Sequence, residues 1–113
     1  MTVKSSLISS FNYFELSGRL DNNEVIELQN QINFQMKNGS KFFLFDLSGL
    51  TYMSSSGLRI FIKTQKELKL FDGFLNLISP NESIKELLEM SELTDLLRLR
   101  NSYKEAINEF KTK

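Results

Sequence analysis

Apolar positions along the chain change period several times, and each change marks an element. Two short β-leaning runs open it, VKSSLISS and NYFELSG, and predict a hairpin or two neighbouring strands. Gly18 is the expected end of the second run. Val25, Leu28, Ile32 and Met36 then recur at helical spacing, with Asn38-Gly39 as a stop signal, and predict a helix over roughly residues 22–38. Asp21 followed three residues later by Glu24 is a capping-box spacing, in which each side chain satisfies an otherwise orphaned amide of the first turn.

The next segment, KFFLFDL, loses all alternation. Phe42, Phe43, Leu44 and Phe45 form a continuous apolar run, as expected of a strand buried on both faces and ending at Asp46. GLRIFIKTQKELKLF returns to helical spacing. Gly57, Ile60, Phe61, Thr64 and Leu68 share one face, and Gly57 lets that face approach the sheet closely; Arg59, Lys63, Lys66 and Glu67 take the polar face. GFLNLIS is a further buried strand. It runs into a helix expected to start with Ser79 as cap, Pro80 in the first helical position and Glu82 closing a box, with Ile84, Leu87 and Leu88 inward. LLRLR reads as a short edge strand. Ser102 and Glu105 bracket the start of a final helix whose Ala106, Ile107 and Phe110 face inward. Strands alternating with helices in this order imply an α/β layer with helices packed on a mixed sheet.

Length and composition set limits on function. The 113 residues, 41% hydrophobic and 25% charged, supply one core, so the whole span 1–113 is expected to be a single domain. Fourteen Lys plus Arg balance 14 Asp plus Glu, with no basic run, which argues against nucleic acid as a direct partner. There is neither Cys nor His, so thiol catalysis, disulfides, Cys/His zinc sites and a Ser-His-Asp triad are excluded. Nothing in the spacing suggests another metal or a cofactor. MTVKSSLISS lacks the apolar run of a signal peptide, and no stretch approaches the roughly 20 apolar residues that span a bilayer. A cytoplasmic protein with no direct membrane insertion is expected.

The remaining candidate chemistry is three consecutive serines in DLSGLTYMSSSGLRI, between the Phe-rich strand and the second helix. A serine-rich spacer fits poorly between such strongly patterned flanks. A helix cap, made by Ser54 or Ser55, contributes about 1 kcal/mol but needs only one serine. A catalytic nucleophile lacks an activating base, and the Gly-x-Ser-x-Gly elbow is absent because Ser54 stands where its first Gly would be. A regulatory phosphorylation site is the fourth reading.

FDLSGLTYMSSSGLRIF resembles the signature of STAS domains, specifically the bacterial anti-sigma factor antagonists, through Asp46, Ser48, Leu50, Tyr52, Met53, Ser55, Ser56, Gly57 and Leu58. ELSGRLD resembles the family's second strand and the Gly-x-Leu-Asp before its first helix, and LLEMSELTDLLRLRNSYKEAINEF its C-terminal end, including Glu105 and Ala106. The resemblance implies a STAS-like single α/β domain, with a mixed, mainly parallel four- to five-stranded sheet and about four helices. It implies a partner switch without enzymatic activity. The unmodified chain binds an anti-sigma factor that is also a serine kinase and so releases a sigma factor. Phosphorylation at Ser55, two residues before Gly57 (with Ser54 and Ser56 as the alternative acceptors), ends that binding, and a serine phosphatase resets it. Asp21, Ser54, Ser56, Gly57, Leu58 and Arg59 are the implied partner-binding residues. The family usually carries Asp immediately before its acceptor; this chain carries Ser54, which preserves a capping side chain and removes a carboxylate. STAS domains also serve as non-phosphorylated subunits or scaffolds of transporters and signalling complexes, the alternative implied function.

Overall fold

The Phe-rich run lies at the centre of the sheet in the computed structural model, which describes residues 1–8 and 11–111. The side chains of Ile8, Phe110 and Lys111 fall outside that description, as does the inward orientation expected of Phe110. Strands β1 (Thr2–Ile8), β2 (Phe11–Leu20), β3 (Phe42–Met53) and β4 (Phe74–Ile78) form one sheet in the order β1-β2-β3-β4. The β1–β2 pair is antiparallel; β2–β3 and β3–β4 are parallel. Helices α1 (Asn22–Lys37), α2 (Ser55–Lys69), α3 (Glu82–Met90) and α4 (Tyr103–Lys111) complete a single α/β domain of the mixed, mainly parallel kind that the pattern implied. Among the described residues, no helix is long and apolar enough to cross a membrane.

Alternate residues of β3 feed two separate cores, which is why the strand reads as unbroken hydrophobic sequence. Phe43, Phe45 and Leu47 join the larger core beneath α1, α2 and α3, together with Phe14, Leu28, Ile32, Phe61 and Leu68. Leu44 faces the other way, into a smaller cluster with Phe11, Ile78, Ala106 and Ile107 beneath α4. Arg100 and Arg98 both reach Glu109, at 2.5 and 3.2 Å, and hold α4 against this second face.

Four local expectations are corrected. Gly18 does not end β2: it adopts φ +92°, open to glycine at little cost, and the strand continues through a register shift to Leu20. β3 does not stop at Asp46. Its pairing with β4 ends there, at Asp46↔Ile78, but pairing with the extended β2 carries it on to Met53. Helix α3 is capped by Asn81 rather than Ser79. The Asn81 carboxamide accepts from the Ile84 amide at 2.9 Å and donates to the Leu50 carbonyl at 2.8 Å, so one side chain serves the helix and β3 together. LLRLR forms no fifth strand, only an isolated bridge between Ile78 and Arg100. The outer edge of β4 is satisfied instead by backbone bonds to Leu97 and Arg100 and by the side chain of Gln65.

On the α4 face, the Tyr13 hydroxyl donates to Asp46 Oδ2 at 2.6 Å. Burial first, and then that bond and the nearby charges of Asp46 and Glu15, push the Tyr13 phenol well above its usual range. A pKa higher in the folded than in the unfolded chain gives stability that is fully present below pH ~10 and is lost as pH rises beyond it. Chemical unfolding should therefore show stability falling above pH ~10, with a shallower fall in Tyr13→Phe; identical profiles would contradict the assignment.

Candidate functional site

One residue separates β3 from α2, and it is Ser54. Its backbone is extended, and its hydroxyl accepts from the Gly57 amide at 3.1 Å. Its own amide donates to the Leu20 carbonyl at 2.9 Å, and its carbonyl accepts from Leu58 at 3.0 Å. All three polar groups of Ser54 are thus occupied, and the residue is only 8% exposed. The cap left open between Ser54 and Ser55 is Ser54. Ser55 is the first residue of α2 and is exposed; Ser56 is half-buried. The first turn of α2 carries no acidic side chain, while Lys66 and Lys69 sit in the last.

The same Leu20–Ser54 bond joins the starts of two helices. Asp21, the next residue after Leu20, caps α1 by accepting from Asn23 at 3.2 Å. Glu24 does not complete the expected box; its carboxylate lies 3.7 Å from the Met1 nitrogen. Gly57 allows the close approach expected of it. A Cβ there would fall 2.9 Å from Leu20 Cγ and 3.3 Å from Met53 Cγ, so a larger residue forces the buried Leu20 side chain or the start of α2 to shift. Leu58 packs half-buried against the main core, and Arg59 is exposed on the outer side of α2. The structure therefore brings Asp21, Ser54, Ser55, Ser56 and Gly57 to one end of the sheet, with Leu58 and Arg59 following on the first turn of α2.

Two further residues at this end were not singled out as site residues in the sequence. The Arg19 guanidinium lies 4.2 Å from the centroid of the Tyr52 ring, a cation–π pair that links β2 and β3 just before both helix starts. Arg19 and Tyr52 are register partners, and both are exposed. Nothing in their sequence positions, 33 residues apart, signals the pairing until the strand register is known. Among the described residues, no three acidic side chains gather into a group able to hold a metal.

One end of this single α/β domain thus presents a serine-rich helix start, flanked by an exposed Arg–Tyr pair. The chain belongs to the STAS domain family, whose model matches residues 7–106. It is 26% identical to the anti-sigma-B factor antagonist of Staphylococcus aureus over 99 residues, covering 88% of this chain and 92% of that protein. It is 29% identical to BtrV of Bordetella bronchiseptica over 97 residues, covering 86% and 84%. Among solved structures, the anti-sigma factor antagonist SpoIIAA in its unphosphorylated form superposes with a TM-score of 0.85 at 19% identity, covering 99% of this chain and 98% of SpoIIAA. SpoIIAA of Bacillus in its phosphorylated form gives 0.77 at 20% identity, over 96% and 99%. These last two are likenesses of fold.

Proposed function

We propose that this chain is an anti-sigma factor antagonist that works in the cytoplasm, and that Ser55 is its phosphorylation switch. Unmodified, it docks on an anti-sigma factor through the end of the sheet where α1 and α2 begin, and the sigma factor held by that partner is released. The anti-sigma factor is also an ATP-dependent serine kinase. It transfers the γ-phosphoryl group to Ser55 Oγ, and the product detaches. A serine phosphatase hydrolyses the ester and restores the docking form.

The division of labour between the adjacent serines carries this proposal. Ser54 is buried with its hydroxyl committed to the Gly57 amide, whereas Ser55 is exposed on the first turn of the same helix. A dianion on Ser55 meets the positive end of the helix dipole, so the domain accommodates it. The surface meanwhile gains about −1.5 to −2 charges, which a partner fitted to a neutral hydroxyl does not accommodate. Asp21, Ser56, Leu58 and Arg59 form the contact surface, extended by Arg19 and Tyr52, residue types that dominate docking energetics. Ser54 and Gly57 are buried in the free chain and serve the interface by fixing the position of α2.

Incubation with the cognate anti-sigma factor and ATP, followed by phosphopeptide mapping, tests the acceptor. One phosphate on Ser55 is expected, retained in Ser56→Ala and lost in Ser55→Ala. A phosphate on Ser54 or Ser56, or none, would contradict the assignment.

A further inference from the structure

Ser55 opens a stripe of exposed residues that runs along the outer side of α2 as Ser55, Arg59 and Lys63. Residues four apart on a helix are neighbours, with Cβ atoms about 5–6 Å apart. The preferred rotamers of a long helical side chain lean back toward the N-terminus, so Arg59 covers the turn that begins at Ser55. The first turn of α2 holds no acidic side chain, and the residue one turn beyond Arg59 is Lys63, of the same charge. Among the described residues, Arg59 makes no ion pair; those pairs lie at Glu24 and Glu109. The neighbouring turns of its own helix therefore offer this guanidinium no anion.

The other charged groups at this end of the sheet are engaged elsewhere. Arg19 lies 4.2 Å from the centroid of the Tyr52 ring. Asp21 caps α1 by accepting from the Asn23 amide, and the Glu24 carboxylate lies 3.7 Å from the Met1 nitrogen. Arg59 is the cation that the helix itself sets beside Ser55. An acid that precedes a base by four residues is the favoured order for an ion pair on a helix. The planar guanidinium matches phosphate oxygens two at a time, which makes Arg the better fit of the two cationic side chains to this group.

Resting on the assignment of Ser55 as the switch, we propose that Arg59 receives its phosphate within the chain. In the phosphorylated form the guanidinium donates to two phosphate oxygens. In the unmodified form the same donors are open to a carboxylate of the docking partner. Phosphorylation then acts twice on the docking surface: it adds negative charge at Ser55 and withdraws the cation of Arg59. Arg is among the residue types that dominate docking energetics, so its capture removes an anchor as well as introducing a repulsion.

The test uses the full chain with phosphoserine placed at position 55 during synthesis, so that no kinase is needed. Phosphorus NMR follows the second ionisation of the phosphate, whose pKa is ordinarily about 6. A neighbouring cation favours the dianion and lowers that pKa. At low ionic strength the midpoint should lie roughly 0.5 pH unit higher in Arg59→Gln than in the otherwise unaltered phosphoprotein, with Arg59→Lys between them. Arg19→Gln and Lys63→Gln should each move it less than half as far, and the Arg59 Nε resonance should shift on phosphorylation. Without the phosphate, Arg59→Gln should melt with the unaltered chain, because the side chain is exposed. It should bind the cognate anti-sigma factor roughly tenfold more weakly. A midpoint unmoved by Arg59→Gln, a larger movement in Arg19→Gln, or full binding by Arg59→Gln would overturn the proposal. The phosphate titration involves no partner, so its failure is separable from failure of the switch, which Ser55→Asp reads.

Discussion

Replacing Gln65 by leucine is expected to lower the free energy of unfolding by about 3 kcal/mol, although no charge and little volume changes. Gln65 is 1% exposed on the inner face of α2, where the helical pattern calls for an apolar residue. Its Nε2 donates to the carbonyls of Leu75 and Leu96 at 3.1 and 2.7 Å, and its Oε1 accepts from the Leu75 amide at 2.8 Å. The carboxamide thus stands in for a neighbouring strand along the edge of β4 and binds the 96–100 segment to it. Leucine keeps the packing and strands the Leu75 amide together with acceptors that lose a donor, each costing about 1–3 kcal/mol if water does not replace the bond. Against a total of 5–15 kcal/mol for a domain of this kind, the loss is large. Urea unfolding should show a lower midpoint with an unchanged slope. A change below about 1 kcal/mol would mean that the edge of β4 does not depend on this side chain.

Gln65 also marks the boundary of what the sequence discloses. Elements whose partners are local were legible. The stripe Val25, Leu28 and Ile32 fixed α1, and the unbroken Phe42–Phe45 run fixed a central strand, because periodicity reports directly which faces are buried. The box at Ser102 and Glu105 was legible in part. Ser102 accepts from the Glu105 amide at 3.3 Å, while the Glu105 carboxylate takes the Asn101 amide at 2.9 Å. Where a distant partner decides, the pattern pointed elsewhere. The sequence pattern placed the start of α3 at Ser79-Pro80, whereas the cap is Asn81, whose carboxamide also donates to the Leu50 carbonyl 31 residues away. LLRLR has the composition of a strand, but the edge it would occupy is partly filled by Gln65. β3 outruns Asp46 because β2 does not stop at Gly18, and neither strand reveals this alone.

The same distinction runs through the site. The serine cluster, the resemblance around it and the close approach at Gly57 were readable, since they depend on one contiguous stretch. Which serine caps was not, because the Leu20 carbonyl that fixes Ser54 belongs to another strand. The Arg19–Tyr52 pair lay hidden for the same reason.

Loss of docking in Ser55→Asp should be the largest functional effect of any single substitution in the chain. The added carboxylate lies in the first turn of α2, which holds no other acidic side chain, and the helix dipole favours a negative charge there by about 0.3–1 kcal/mol. The folded chain should therefore melt at or slightly above the temperature of the unmodified protein. At the interface the same charge must be desolvated against a surface fitted to a hydroxyl, and a penalty of about 3 kcal/mol, at 1.4 kcal/mol per tenfold, weakens binding roughly a hundredfold. Ser55→Ala removes the acceptor without adding charge and should bind almost as the unmodified chain does.

Calorimetric titration of the cognate anti-sigma factor with Ser55→Asp, Ser55→Ala and the unmodified chain, each with a thermal melt, measures both halves of this claim. The account predicts near-equal affinity for the last two, roughly a hundredfold loss for the first, and three melting temperatures that agree within a few degrees. Equal binding of all three, or loss of binding that tracks loss of folding, would contradict it.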